Sequence, residues 1–301
     1  MNVVRMSGVT KRYGQVTALD GVSMELAENR IHGLLGRNGA GKTTVMQILT
    51  GQAFETSGGV EVFGEHPYEN AGVLGRICFI KESQRYPDFF KVKHALRAAE
   101  LLYPHWDAGF AAELVADFAL PADRNIRKLS RGMLSAVGVI IGLASRAPLT
   151  FFDEPYLGLD AVARQLFYDR LLADYAAHPR TIVLSTHLID EVSDLIEHVV
   201  LIDKGRILID EDAEALRTRA VTVTGPVASV ESFVAGRTVL HREQLGGFLR
   251  VTVSGVPDRP SVGGLEFEAV SLQQLVVRIT QMNGLHNGQP VAAGTGNGGN
   301  R

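Results

Sequence analysis

The sequence predicts an α/β fold, in which a parallel sheet is covered by helices and antiparallel strands precede it. The first observation is the apolar run Ile31–Leu35, which a glycine-rich loop and a helical pattern follow directly. The second is the strand–helix–strand order of 149–152, Ala161–Ala177 and 181–184, which favours a parallel sheet. The third is the alternation of apolar and polar residues in 2–7 and 22–26, which favours antiparallel strands near the N-terminus.

Turn residues divide the rest of the chain into further elements. Turns are expected at Arg12-Tyr13-Gly14 and at Asp20-Gly21. The other predicted elements are strands at 59–64 and 76–80, a helical stretch over 88–147, a short helix over 190–198, and a hairpin of 199–202 with 206–210. Within the helical stretch, Asp107 is placed to cap a helix whose apolar residues recur every four positions.

Changes of composition predict three regions. Residues 1–215 form an α/β core, and a helical subdomain of about 85–147 is inserted into it. Residues 216–283 contain short strands at 221–224, 248–254 and 265–269 and a helix over 271–280, so they are predicted to form a small α+β accessory domain. Residues 284–301 are rich in glycine and asparagine, and we expect them to be disordered because they offer few apolar anchors.

The composition excludes several classes of protein. The chain has 301 residues, of which 46% are apolar and 21% charged, as in ordinary globular proteins. Its net charge of −3 gives no reason to expect nucleic acid as a partner. The single cysteine, Cys78, excludes an internal disulfide and suits a reducing cytosol. No stretch approaches the roughly 20 apolar residues of a membrane span, so any membrane role needs a partner.

The loop after the first parallel strand carries a phosphate-binding pattern, G-x-x-x-x-G-K-T. Its glycines let several backbone N–H groups point into one concavity, and the following helix adds the partial positive charge of its N-terminus. Lys42 is placed to bridge the β- and γ-phosphates of ATP, and the Thr43 hydroxyl to hold Mg²⁺. The residues predicted to cradle the nucleotide here are Gly36, Asn38, Gly39, Ala40, Gly41, Lys42, Thr43 and Thr44.

A second strand, at 149–152, ends in two carboxylates. Asp153 is predicted to be a ligand of the Mg²⁺, because the end of the strand presents it to the phosphate loop. Glu154 is placed to orient or deprotonate the attacking water. An Asp-Glu pair alone is weak evidence, but the phosphate loop upstream makes this interpretation specific.

Between these motifs, Leu129-Ser130-Arg131-Gly132-Met133 resembles the L-S-G-G-Q signature of ATP-binding cassette (ABC) ATPases. Leu157-Gly158-Leu159-Asp160 is similar to the D-loop of that family, and Ser185-Thr186-His187 to its switch histidine. Tyr13 stands where the family has an adenine-stacking aromatic residue. The resemblance covers about residues 1–215, and the motifs occur in the order of the family.

The resemblance implies a RecA-like P-loop core and a shared active site. Two cassettes would face each other head to tail, with each ATP held between one P-loop and the partner's signature. Ser130 and Gly132 would then reach the γ-phosphate across the interface, and Asp160 would line the same site. Glu154, His187 and Lys42 would be the catalytic residues, and ATP with Mg²⁺ the cofactors.

Three positions depart from the pattern of the family. Arg131 and Met133 replace a glycine and a glutamine of the signature, and the Arg131 guanidinium could approach the anion or pair with an acidic neighbour. At the Q-loop glutamine, which senses Mg²⁺, the favoured alignment places Glu82, and Gln84 fits only after a shift of two residues. Glu82 is therefore included among the predicted nucleotide and Mg²⁺ contacts.

Phe89 and Phe90 either line the groove for a membrane partner or belong to the core.

The signature and the segment Tyr103-Pro104-His105-Trp106-Asp107 look similar to bacterial ATPases that serve exporter-type membrane subunits. This implies an ATPase that works as a homodimer or heterodimer with a separate transmembrane permease. It would be cytoplasmic and peripheral, on the inner face of the cell membrane. The alternatives are a soluble ABC-type ATPase acting on ribosomes or DNA, and a regulatory cassette that does not hydrolyse ATP.

Overall fold

The computed structural model describes residues 1–82, 84–255 and 263–286, with side chains up to residue 281. The chain divides into two compact units, Met1–Ala213 and a second unit that begins at Glu214. Within the described ranges, no helix has the length and apolar character needed to cross a bilayer. The predicted α/β class is confirmed.

The first unit contains nine strands among the described residues. They are β1 (Asn2–Tyr13), β2 (Val16–Ala27), β3 (Ile31–Leu35), β4 (Ser57–Val62), β5 (Ile77–Ile80), β6 (Leu149–Asp153), β7 (Thr181–Thr186), β8 (His198–Asp203) and β9 (Arg206–Asp212). Its helices are α1 (Lys42–Leu49), α2 (Ala71–Leu74), α3 (Val92–Leu102), α4 (Ala108–Asp117), a 3-10 turn (Ile126–Lys128), α5 (Arg131–Ala144), α6 (Ala161–Ala177) and α7 (Ile189–Val192). Helix α8 (Ala213–Thr218) begins at the end of this unit, so the predicted boundary between 215 and 216 falls inside a helix.

A six-stranded sheet in the order β5-β6-β7-β3-β8-β9 forms the centre of this unit. Its pairings are parallel except that of β8 with β9. The carboxyl ends of β3, β6 and β7 therefore meet at one edge of the sheet, where open α/β sheets bind their ligands. The parallel sheet predicted from the strand–helix–strand pattern is confirmed.

A second, antiparallel sheet has the order β2-β1-β4. The predicted strands at 2–7 and 22–26 are too short, because β1 and β2 each extend over 12 residues. The turn expected at Asp20-Gly21 is wrong, since β2 runs through it with Gly21 at a φ of 64°. Shifts in the register between β1 and β2 accommodate the backbone conformation at Gly21. The chain reverses its direction only after Tyr13.

The main core lies between these two sheets and around α1. Met6 and Leu26 of the antiparallel sheet belong to the same buried cluster as Met46 of α1 and Phe151 and Val183 of the parallel sheet. Strands β3, β6 and β7 are buried along their whole length, as expected of parallel strands covered on both faces. Burial on both faces fixes the end of each strand in place, and hence the loops that carry the site.

The helices between β5 and β6 run from Val92 to Ala144. Asp107 caps α4 as expected, because its side chain accepts a hydrogen bond from the Phe110 amide at 2.8 Å. Helix α5 buries most of its length against the sheet, and a Cβ on Gly142 would lie 2.4 Å from the Phe152 ring. Glycine at 142 therefore lets α5 approach β6 closely.

The second unit has a four-stranded antiparallel sheet in the order β11-β12-β10-β13. Its elements are β10 (Ala220–Pro226), α9 (Val227–Val234), β11 (Thr238–Leu245), β12 (Phe248–Ser254), β13 (Glu266–Ala269) and α10 (Leu272–His286). Val223, Val251 and Val253 are in its core. Sequence reasoning missed α9 and β11. Strand β11 gives no strand pattern because it is an exposed polar edge strand without an apolar alternation.

Helix α10 continues to His286, beyond the end predicted at 280. A glycine at 284 costs a helix only about 1 kcal/mol, so it does not have to end the helix. The helix therefore extends three residues into the stretch predicted as a tail. The remainder of that predicted tail, 287–301, lies outside the described residues.

A buried ion cluster gives a test of the packing of the first unit. The Asp174 carboxylate is 2.9 Å from Arg146 Nη2 and 2.7 Å from Arg180 Nη1. Because Asp174→Ala would leave two largely buried guanidinium groups without this partner, we expect it to lower the free energy of unfolding by about 3–5 kcal/mol. Urea denaturation measures the loss. Asp169→Ala, an exposed aspartate on the same helix, is the control, and equal losses in the two variants would contradict the assignment.

Candidate functional site

The phosphate loop connects β3 to α1 in a conformation that requires glycine at two positions. Gly36 has a φ of 154°, and a Cβ there would lie 2.3 Å from the carbonyl oxygen of Ile202 on β8. Gly41, directly before α1, has a φ of 117°. A side chain at either position would push the loop off the sheet. Around Gly39, by contrast, a Cβ would meet nothing within 4 Å, so the middle of the loop borders open space.

Lys42 is folded back over its own loop. Its buried ammonium donates to the carbonyl oxygens of Gly36, at 2.7 Å, and Arg37, at 3.3 Å. The same nitrogen lies 3.5 Å from Glu154 Oε1. The structure therefore brings the lysine of the loop and the second carboxylate of β6 together, as a phosphate site at this edge of the sheet requires.

Thr43 and Asp153 meet directly at the same edge. The Thr43 hydroxyl donates to Asp153 Oδ2 at 2.8 Å. Burial raises the pKa of Asp153, and the hydrogen bond from Thr43 opposes part of that rise. Asp153 is thus a buried carboxylate that lacks a full charge partner, which is the condition under which a cation is attracted.

The two oxygens suit Mg²⁺ by their chemistry. Mg²⁺ prefers hard oxygen ligands and is bound through one or two protein groups together with phosphates and water. Within the described residues, no group of three or more His, Cys, Asp or Glu side chains is gathered to hold a metal ion. A metal at Thr43 and Asp153 would complete its coordination with phosphate oxygens or water.

Glu154 is held in an unusual backbone conformation. Its φ is 50°, in the left-handed region, where side chains other than glycine are strained. Its Oε2 lies 2.8 Å from His187 Nδ1, and its Oε1 is buried without a hydrogen-bond partner. Glu154, which follows β6, is therefore linked to His187, which follows β7, and one oxygen of its carboxylate has no hydrogen-bond partner.

The signature segment begins α5 and packs against the D-loop of its own subunit. Ser130 is the N-cap, and its oxygen accepts a hydrogen bond from the Met133 amide at 3.2 Å. A Cβ on Gly132 would lie 2.5 Å from the carbonyl oxygen of Gly158, so glycine is needed here for close approach. The hydroxyl of Ser135 also donates to the Leu157 carbonyl at 2.6 Å.

The Q-loop pairs with the signature within one subunit. Arg131 Nη2 lies 3.1 Å from Glu82 Oε1, and both side chains are largely exposed. Of the two arrangements considered for Arg131, the structure shows pairing with an acidic neighbour. The other Q-loop candidate, Gln84, turns its amide oxygen back to accept from the Lys81 amide at 3.2 Å.

The remaining predicted contacts lie in separate elements. Tyr13 is the last residue of β1 and is 48% exposed, with Lys11 Nζ 4.8 Å from the centre of its ring. Asp160 caps α6, where its carboxylate accepts from the Ala163 amide at 2.8 Å. Asn38, Ala40 and Thr44 lie in the phosphate loop and at the start of α1.

Sequence reasoning missed Tyr156. This tyrosine is 2% exposed, and its hydroxyl contacts Glu154, Thr186 and His187. The position falls between two recognised motifs, and neither motif specifies it. The only available signal was an aromatic residue with a polar end two residues after a catalytic candidate.

These features define a P-loop ATPase with the antiparallel sheet and helical insertion of a cassette. The sequence profile of the ABC transporter family matches residues 19–157. The bacitracin transport ATP-binding protein BcrA of Bacillus licheniformis is 30% identical over 221 residues, which cover 72% of this chain and 72% of that protein. The Nod factor export ATP-binding protein I of Cupriavidus metallidurans is 32% identical over 210 residues, covering 68% and 69%.

The dimeric structure of a bacterial ABC transporter cassette is similar in fold. It has a TM-score of 0.62 at 20% identity, over 70% of this chain and 98% of that chain. The chain therefore belongs to the ABC transporter family. It is an ATP-binding, ATP-hydrolysing cassette of that family.

The raised pKa of Asp153 predicts how stability depends on pH. Burial favours the protonated carboxyl in the folded state, so the contribution of Asp153 to stability is present at low pH and is lost as the pH rises through its folded pKa. Without nucleotide at neutral pH, Asp153→Asn should therefore raise Tm, by about 2–4 °C.

Thermal melts over a series of pH values check this prediction. The gain should shrink as the pH falls, because the raised pKa of Asp153 leaves the wild-type carboxyl protonated as well. Asp169→Asn, at an exposed position, should show no such trend. A lower Tm at neutral pH, or a gain that grows on acidification, would contradict the role of burial at Asp153.

Proposed function

We propose that this chain powers export through a separate transmembrane permease by ATP-driven dimerisation and hydrolysis at the edge of the six-stranded sheet. The observation that carries the proposal is the convergence of Lys42, Thr43, Asp153, Glu154 and His187 there. A lysine over a glycine-rich loop, a hydroxyl beside a carboxylate and a second carboxylate on a histidine are the groups that phosphoryl transfer to water needs.

Each of these residues has a distinct part in the proposal. The amides of the loop and Lys42 bind the phosphates, and Lys42 would exchange its carbonyl acceptors for phosphate oxygens. Thr43 and Asp153 would hold Mg²⁺, which neutralises charge on the phosphates when bound. Glu154 orients or deprotonates the attacking water through the oxygen that has no partner, and His187 contacts the γ-phosphate.

The signature would complete the site of a second subunit. As the N-cap, the Ser130 oxygen accepts from Met133, while its own O–H can still donate to an anion. The N-terminus of α5 adds a partial positive charge at the same place. A cassette that pairs head to tail with another copy or a related chain would thus close over two nucleotides. Tyr13 would stack on adenine, and Asp160 would lie beside the shared site.

Glu82 occupies the proposed Q-loop position, and its ion pair limits what it can do. While it pairs with Arg131, its carboxylate is directed to the signature of its own subunit. To act as the predicted Mg²⁺ ligand it would first have to leave the guanidinium. Because an exposed pair of this kind contributes only about 0–1 kcal/mol, that exchange is energetically accessible.

Exposed apolar side chains at both ends of α3 support a partner at the membrane. Phe89 is 76% exposed, and Leu101 and Leu102 of α3 are 72% exposed each. Phe89 is therefore not a core residue, although its ring packs edge to face on Phe90. We propose that a permease covers these side chains and holds the chain at the inner face of the membrane. The named relatives, which act in bacitracin transport and Nod factor export, favour a transport role.

Glu154→Gln tests the proposed chemistry. The amide keeps the shape of the side chain but cannot accept the proton or align the water as a carboxylate does, so turnover should fall at least about 100-fold. ATP binding should persist, and ATP should trap a stable dimer. Phosphate release, equilibrium nucleotide binding and light scattering give the three measurements.

The matched control is Glu113→Gln, a glutamate of α4 whose carboxylate is 3.7 Å from Arg170 and largely exposed. It should hydrolyse ATP at the wild-type rate. Near-normal turnover in Glu154→Gln would refute the assignment of Glu154. A loss of nucleotide binding equal to the loss of turnover would instead place Glu154 in binding.

Arg131→Gly tests the proposed placement of the signature at the partner's nucleotide, where the Arg131 guanidinium would leave Glu82 and approach the anion. In the Glu154→Gln background, we expect monomer affinity for ATP to change by less than about 2-fold. The ATP concentration needed for dimerisation should rise by about 3- to 10-fold at low salt and less at high salt, as for a partly exposed charge-assisted contact. If monomer affinity falls while dimerisation is untouched, Arg131 acts within its own subunit only.

A further inference from the structure

The hydroxyl of Tyr156 lies where the ends of β6 and β7 meet. The residue follows Glu154 by two positions, and the side chain is 2% exposed. Its ring packs against the ring of His187, with centroids 5.8 Å apart. A buried hydroxyl must find hydrogen-bond partners, and here they are Glu154 after β6, Thr186 at the end of β7 and His187 after it.

The neighbouring groups determine which hydrogen bonds the Tyr156 hydroxyl accepts and which it donates. The Leu188 amide donates to Thr186 Oγ1 at 2.8 Å, so the Thr186 hydroxyl directs its own proton to the Tyr156 oxygen, at 2.9 Å. The His187 amide donates to the same oxygen at 3.2 Å. A phenol oxygen accepts at most two hydrogen bonds, so both acceptor positions are filled.

The Tyr156 oxygen also lies 3.1 Å from His187 Nδ1; with Nδ1–H directed to Glu154 Oε2, the remaining proton of Tyr156 points to Glu154 as well. The hydroxyl donates to Glu154 Oε2, the same oxygen that His187 Nδ1 contacts at 2.8 Å. Burial raises the pKa of Tyr156, which keeps the phenol protonated and able to donate at neutral pH. Both donors act on Oε2, and Oε1 is left without a hydrogen bond, 3.5 Å from Lys42 Nζ.

This arrangement fixes two rotations at once. The Glu154 carboxylate cannot turn about its last bond without breaking the contacts at Oε2, so Oε1 remains the oxygen that faces the phosphate loop. The His187 ring is held with Nδ1 toward Glu154, which leaves Nε2 on the opposite side of the ring. A rigid support of this kind is what a catalytic base needs to hold water in line.

We propose that Tyr156 is a positioning residue for ATP hydrolysis, which holds Glu154 and His187 in one fixed arrangement through a single hydroxyl. The proposal rests on the proposed function, because it acts through the two residues that are assigned there to water and γ-phosphate. It assigns Tyr156 no contact with nucleotide. Its consequence is that the hydroxyl supports the rate of the chemical step and contributes little to nucleotide affinity.

Tyr156→Phe removes the hydroxyl and keeps the buried ring. In the full-length protein, kcat should fall about 10- to 100-fold, the range expected when a reacting group loses its alignment. KM and the equilibrium affinity for ATP should change by less than about 3-fold. Tyr175→Phe is the matched control, because it removes a hydroxyl that is hydrogen-bonded to Asn29 and Glu197, and it should leave kcat unchanged.

A double-mutant cycle distinguishes positioning from general structural damage. In a His187→Ala background, adding Tyr156→Phe should reduce kcat by less than about 3-fold further, because the residues act as a unit. Independent, multiplicative losses would overturn the proposal. So would a Tyr156→Phe protein that folds normally and keeps wild-type kcat, or one whose loss lies in ATP affinity.

Thr186 provides a second route if Tyr156→Phe does not fold. Thr186→Val removes the hydroxyl that orients the Tyr156 proton, and Thr186→Ser restores it. We expect a lower kcat in Thr186→Val, with unchanged ATP affinity, and recovery of most of that loss in Thr186→Ser. Equal kcat in the two variants would contradict the proposal.

The wild type and Glu154→Gln are measured beside these variants. If the wild type lacks ATPase activity, or Glu154→Gln retains it, the proposed function fails. If both behave as expected and Tyr156→Phe matches the wild type, only the inference about Tyr156 fails.

Discussion

The contact of the phosphate loop with the two carboxylates at the end of β6 is the constraint on which the rest of the site depends. Thr43 donates to Asp153 at 2.8 Å, and Lys42 lies 3.5 Å from Glu154. These pairs place two buried negative groups beside a lysine and a helix N-terminus. The Glu154 carboxylate and the carbonyls of the loop are the partners of the lysine. Bound phosphates would replace these partners of Lys42, so nucleotide binding and the rearrangement of the site would occur together.

The D-loop links this centre to the signature of the same subunit. It begins three residues after Glu154. It touches the start of α5 at two points, through the close approach of Gly158 to Gly132 and the hydrogen bond from Ser135 to Leu157. Because packed backbone cannot deform freely, a shift of the Glu154 segment would move the N-terminus of α5. The group proposed to serve the partner's nucleotide is thus mechanically joined to the group proposed to act on its own.

Sequence reasoning predicted the parts of the site whose chemistry is encoded in local spacing. Lys42, Thr43, Asp153 and Glu154 could be placed because a strand, a glycine loop and a second strand end leave a clear pattern. Tyr156 could not, since its importance comes from β7 lying beside β6, which only the folded sheet creates. Pairing of Arg131 with an acidic neighbour was one of two alternatives, but spacing along the chain could not identify Glu82 as that neighbour. The lengths of β1 and β2 were underestimated because register shifts let these strands continue through glycines.

The most direct test of this account is the stabilisation of the protein by ATP with and without Mg²⁺, in the wild type and in Asp153→Asn. Thermal melts or calorimetric titration in EDTA should show that both proteins bind ATP through Lys42 and the loop. Adding Mg²⁺ should increase the stabilisation of the wild type and have little further effect on Asp153→Asn, because the cation loses its carboxylate ligand. A full Mg²⁺-dependent increment in Asp153→Asn, or no stabilisation of the wild type by ATP, would contradict the account.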